Sequence, residues 1–148
     1  MNAALQKQDA NLGVAWENTY GYVQAVKVKD TIYICGQLSH DSAGALVAPA
    51  PLGQAGKPAS FDKMGEQMAQ TYRNAVALLA EFGATLDHVV EETLYVLDVD
   101  AAFQAAGQVR REAYGVERPM VASNLIGVSR LAFPEQLIEI TFRAVVPD

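Results

Sequence analysis

The chain has 148 residues, which is enough for one core and little more. Of these, 51% are hydrophobic and 19% charged, the balance of an ordinary globular protein rather than of a disordered tail, a collagen or a disulfide scaffold. Eleven Lys and Arg against seventeen Asp and Glu leave a net charge of −6, which repels phosphate backbones and sets an expectation of no nucleic-acid partner.

The start, Met1 to Asn11, is polar and reads as neither a secretory signal nor a membrane segment. The longest apolar runs, such as Ala75 to Ala80, fall far short of the ~20 residues a membrane helix needs, so no membrane partner is expected. The single cysteine, Cys35, has no internal disulfide partner, which suits a reducing, cytoplasmic location. We read residues 1–148 as a single domain, with 1–18 as an N-terminal arm.

The first strands are expected at Tyr22–Val28, which alternates, and at Thr31–Cys35, which is β-branched and aromatic. Lys29 and Asp30 between them form a two-residue hairpin turn, where Gly or Asn is the usual choice. The stretch Asp41 to Lys57, rich in Ala, Gly and Pro, reads as an exposed loop that extends over 41–59. A helix begins near Ser60. Met64, Met68, Tyr72, Ala75, Leu79 and Phe82 form its apolar stripe, and Lys63, Glu66, Gln70, Arg73, Asn74 and Glu81 its polar face. Gly83 stops it.

Val89 to Asp98 is the next strand. Leu94 and Val96 lie on one face, and Thr93, Tyr95 and Leu97 on the other. Asp98 or Asp100 caps a second helix with an apolar face of Phe103, Ala106, Val109 and Ala113. Gly107 within it suggests close packing or room for something. Gly115 ends this helix. Two further strands, Met120–Val128 and Gln136–Val146, flank a loop that holds Arg130 and Pro134.

This order predicts an α+β fold, a mixed sheet with both helices packed on one face. The other face then carries Tyr33, Cys35, Thr93, Tyr95 and Leu97. It is too apolar for water, and the simplest cover is a second copy.

His40 and His88 sit on separate loops and Cys35 has no neighbour of metal-ligand type, so neither a metal nor a cofactor is expected. His40 reads as a solvated loop histidine or as a residue of a functional loop after a strand end. Cys35 reads as a small buried hydrophobe. Glu139 shares a face with Tyr33 and Tyr95. There it is either a partly buried carboxylate with a pKa raised toward proton transfer, or the partner of Arg143 in a salt bridge. Ser123 and Asn124, on the preceding strand, either offer hydrogen bonds to a ligand or satisfy a strand edge. With no histidine to activate it, Ser123 is a poor nucleophile.

In order and spacing, several segments together resemble the Rid family, the reactive intermediate deaminases, also called YjgF or endoribonuclease L-PSP. They are Tyr22–Val26, Ile34–Leu38, Leu79–Ala84, Val89–Val96, Arg118-Pro119 and Ile138-Glu139-Ile140. The resemblance implies one Rid-like domain of chorismate-mutase-like fold in a homotrimer. Its sheets form an inner barrel and its clefts lie between subunits. It implies hydrolysis of an imine or enamine to a keto acid and ammonia without cofactor. Carried over residue by residue, Tyr22 closes the cleft, Gly36 lines it, Ser123 takes the position of a small residue and Glu139 positions water.

The family's carboxylate-binding arginine does not match, because Val121, or Ala122 with a shift of one, stands there. An asparagine of many deaminating members falls at Gly107. The loop before the last strand looks longer and holds Arg130, which could reach a substrate carboxylate. These departures resemble a divergent branch whose substrate is not the usual amino-acid imine. Three readings therefore stand: an enzyme acting on a C–N small molecule with Glu139 as catalytic group, a non-catalytic trimer that binds a metabolite or partner protein, and RNA cleavage. The acidic charge and the lack of a basic aromatic stripe disfavour the last.

Overall fold

The computed structural model describes residues 2–147; Met1 and Asp148, the ends of the domain read from sequence, lie outside the described residues. The elements run β1 (Gln8–Ala10), α1 (Ala15–Tyr20), β2 (Ala25–Val28), β3 (Thr31–Gln37), α2 (Met64–Ala80), β4 (Val89–Val96), α3 (Val99–Tyr114), β5 (Ala122–Gly127) and β6 (Ile138–Val145). The six strands form one mixed sheet in the order β1-β2-β3-β6-β4-β5. All neighbours pair antiparallel except β4 and β5, which are parallel and are joined through α3.

The core lies between the sheet and the two long helices. Ile138, Ile140, Phe142 and Ala144 of β6 are buried toward the helices, as are Leu94 and Val96 of β4. Met64, Met68, Tyr72, Ala75 and Leu79 of α2 meet them, so the apolar stripe read from the sequence is the buried face. Period-two alternation in β6 and period-four spacing in α2 therefore point at one another.

Several local expectations change. The segment read as an arm up to residue 18 is not only an arm, since it holds β1 and the first four residues of α1, with Val14 and Glu17 buried. The first hairpin strand begins at Ala25 rather than Tyr22. Its turn does place Lys29 at φ 55°, the left-handed region that disfavours a side chain. Asn74 belongs to the buried side of α2, where its amide donates to the Leu38 and His40 carbonyls at 2.8 and 3.1 Å. Asp98 caps α3 by accepting from the Ala101 N–H at 2.8 Å, and Gly115 closes it at φ 72°. The inner face of α3 is set by Ala102 and Ala106, whereas Phe103 is 69% exposed. A methyl group added at Gly107 would meet only the flexible end of Arg111, so tight packing does not explain that glycine.

The long loop after β3 is exposed over most of its length but pinned at two points. The Ala50 N–H donates to the Glu135 carbonyl at 3.1 Å. Gln67 of α2, fully buried, donates to the carbonyls of Ala48 and Glu135 at 2.9 Å each and accepts from the Leu137 N–H at 2.8 Å. No described helix is long and apolar enough to cross a membrane.

Candidate functional site

The helix-free face of the sheet is formed by residues that alternate with the core set. On β6 these are Glu139, Thr141 and Arg143; opposite them on β4 stand Tyr95, Thr93 and Glu91. Tyr33 of β3 pairs with Arg143 and is 49% exposed. The Arg143 guanidinium lies 5.4 Å above the Tyr33 ring and 3.9 Å from Glu91. The sequence left Glu139 two options, and the structure gives Arg143 to Glu91 and Tyr33.

Glu139 meets Gly36 instead. The β3–β6 register slips between Ile34 and Gln37, so one extra residue of β3 bulges at this point. That bulge sets the Gly36 backbone against the Glu139 side chain, so a methyl group at residue 36 would overlap the carboxylate. Burial raises the Glu139 pKa above the ordinary carboxylate value. The Gln136 amide, which also donates to the Ile138 carbonyl at 3.1 Å, offsets part of that rise.

Two more acidic groups share the neighbourhood. Burial pushes the Cys35 thiol up to about 11, and the negative charges of Glu139 and Glu17 add to it. The Tyr22 hydroxyl is also held above its ordinary value, first by burial and then by Cys35, Glu17 and Glu139. Cys35 Sγ donates to Gln24 Oε1 at 3.1 Å, as does Gln37 Nε2 at 3.0 Å. Gln37 Oε1 is buried without a hydrogen-bond partner among the described residues. Glu17 was not singled out from the sequence. Its carboxylate accepts the N–H groups of Leu12 and Gly13 at 2.8 and 3.0 Å, which fixes the segment that leads to Tyr22.

Tyr22, Gly36 and Glu139 thus come together, with Cys35 among them. Asn124 lies on the same face of the sheet, where its amide reaches the Thr93 hydroxyl at 3.4 Å. Ser123 points the other way. Its hydroxyl donates to Glu92 Oε1 at 2.9 Å and accepts from Arg110 Nη2 at 2.9 Å. Adjacent strand residues alternate faces, so Ser123 and Asn124 cannot serve one pocket of the same subunit. Arg130 stands in neither group; it lines a groove with Lys57 and Phe133.

His40 is not a solvated loop residue. It is 3% exposed, meets Trp16 edge-on at 5.0 Å, and its Nδ1 lies 2.8 Å from the Asp41 carbonyl oxygen.

Ser123 belongs to a cluster that no sequence pattern announced. Glu92 on β4 is fully buried. Arg110 Nε donates to it at 2.6 Å, and the hydroxyls of Tyr72 and Tyr114 donate at 2.9 and 3.0 Å. Each carboxylate oxygen is satisfied, as a buried charge requires. Glu91 beside it is equally acidic, so residue type alone does not single Glu92 out. Arg110 cannot substitute for an arginine missing at residue 121, because its charge is already matched by Glu92.

The chain matches the family model described as Endoribonuclease L-PSP over residues 13–146. A RutC family protein of Pyrococcus abyssi is 32% identical over 110 residues, which span 74% of this chain and 75% of the relative. A Mycobacterium tuberculosis structure of the YjgF/YER057c/UK114 family superposes with a TM-score of 0.74 at 24% identity, covering 95% of this chain and 100% of that one. Yeast Mmf1 superposes with a TM-score of 0.70 at 21% identity, with 98% of each chain covered. The family match over residues 13–146 takes in Tyr22, Gly36 and Glu139, and the chain belongs to the YjgF/Rid family, the endoribonuclease L-PSP family.

Proposed function

We propose that this protein is a cofactor-free hydrolase of an imine, enamine or related C–N small molecule. It acts in the cytoplasm as a homotrimer, in clefts between subunits. The observation that carries the reading is the half-buried Glu139 carboxylate set against Gly36 and raised in pKa. A carboxylate of this kind accepts a proton from water more readily than an ordinary surface one. Water held by Glu139 attacks the C=N carbon and gives up a proton to the carboxylate. That proton passes on to nitrogen and completes a carbinolamine; its hydroxyl proton then moves through the same carboxylate to nitrogen as the C–N bond breaks, leaving a carbonyl and ammonia. Membership of a family that includes enamine and imine deaminases supports this chemistry. The net charge of −6 counts against RNA as substrate.

In this reading Tyr22 and Gly36 line the cleft beside Glu139, and Asn124 borders it. Ser123, which one subunit holds in the Glu92 cluster, reaches the cleft from a neighbour. Val121 and Ala122 provide no cation for a substrate carboxylate, and this branch takes a substrate other than a simple amino-acid imine. The same feature favours a second reading, a trimer that binds a metabolite or partner protein without turnover.

Two assays separate the readings. With imines released by an amino-acid oxidase, added protein accelerates keto-acid formation little over the blank. With a C–N substrate found by screening, Glu139→Gln lowers turnover by about 10²-fold or more while the fold persists. Efficient turnover of amino-acid imines would overturn the specificity assigned here. A fully active Glu139→Gln variant would remove Glu139 from the mechanism.

A further inference from the structure

The loop before β6 and the tip of the long loop after β3 enclose a groove of about 320 Å³, a size that suits a small molecule. Leu97 forms part of its lining. Pro58 and Lys57 belong to one wall, and Arg130, Leu131 and Phe133 to the other. No Asp or Glu lines it, although the chain as a whole carries −6. Neither Lys57 nor Arg130 enters any ion pair among the described residues. Two unneutralised cations thus share an apolar groove on an acidic protein. An anion lying between the walls is attracted by both.

Both walls are built rather than loose. The Gly53 and Ala59 N–H groups donate to the Lys57 and Pro51 carbonyls at 2.7 Å each, which closes the 51–59 segment on itself, and Gln67 holds the other loop at Glu135, next to Pro134. One wall also carries backbone strain. Ala55 sits at φ 65°, a left-handed conformation that disfavours a side chain, next to Gly56 at φ 66°.

We infer that this groove is a binding site for a small organic anion with an apolar body, its carboxylate held by Lys57 and Arg130 and its hydrocarbon part laid on Leu97, Leu131 and Phe133. The site is distinct from the Glu139 cluster, and its occupancy does not depend on turnover there.

The test uses the full-length protein and 3-phenylpropionate as probe, with 3-phenyl-1-propanol as its uncharged counterpart. The Phe133 ring packs tilted by 60° against Trp16, the single tryptophan, at 5.9 Å, so intrinsic fluorescence reports on the groove. Amide shifts in nitrogen-15 spectra map the contact. The acid binds saturably with shifts in residues 55–58 and 129–134. The alcohol binds about tenfold more weakly or less, and Lys57→Gln with Arg130→Gln weakens the acid about tenfold or more. Glu139→Gln leaves binding unchanged, so failure of the hydrolase reading and failure of this one are told apart. No saturable binding up to about 10 mM overturns the inference. So does equal affinity for the alcohol, or shifts confined to the Glu139 cluster. Both exchanged cations are exposed, and the unchanged spectrum of the free double variant verifies its fold.

Discussion

Gly36 is a glycine for want of room, because its missing side chain is the space that Glu139 fills. Gly36→Ala forces the carboxylate aside, and we expect it to abolish Glu139-dependent turnover while costing about 1–3 kcal/mol of stability, read by urea unfolding. Wild-type activity in that variant would show that the contact is not needed. Glu139 itself gives a pH signature. Its folded-state pKa lies above the unfolded value near 4.3, so the folded state binds the proton more tightly. The charged carboxylate therefore carries a penalty that is fully present above the folded pKa and gone below about pH 4.3. Glu139→Gln should be more stable than wild type at pH 7 by at most about 0.5 kcal/mol, and the gain should vanish in acid. A variant less stable at pH 7 would mean that the carboxylate stabilises the fold. Period-two alternation placed Glu139 on the right face, and its contact with Gly36 depends on a bulge that no alternation encodes.

Element-scale order was legible where an element is long and one-sided. The stripe of α2 and the alternation of β6 were readable because burial repeats with the backbone period. β1, with only Gln8, Asp9 and Ala10, has no such repeat, and it forms because β2 offers it an edge. α3 was read one residue out of phase at Phe103, because alanines face the sheet and a small side chain gives a weak pattern. The Glu92 cluster joins β4, α2, α3 and β5 and could not be inferred from any one of them. Arg110→Ala leaves that buried carboxylate without its cation and should cost about 3 kcal/mol in urea unfolding. Combined with Glu92→Gln, the loss should fall short of the sum of the single variants by about 1 kcal/mol. Strict additivity would show that the two groups do not act as a pair.

For the whole molecule, the sequence implied a two-layer arrangement with one sheet face left open, and that is the layering observed. Tyr33 at 49% exposure and Ile126 at 44% stand on strands that the chain itself leaves partly uncovered. The proposed trimer covers them. Sedimentation of dilute protein should give three chains per particle, and Tyr33→Asp should release folded monomers by placing an unpaired charge in the contact. A wild-type monomer, or an intact Tyr33→Asp trimer, would show that this face is not the interface.

Gln67 has a consequence for motion. One amide side chain holds the carbonyls of Ala48 and Glu135 and the N–H of Leu137, so it bridges two loops far apart in sequence. Neither loop can leave its resting place by a large excursion without breaking bonds that also restrain the other. They form one cooperative opening unit rather than two, and protected amides on both sides share a single opening free energy in hydrogen exchange. Anything that steadies one loop slows exchange in its companion.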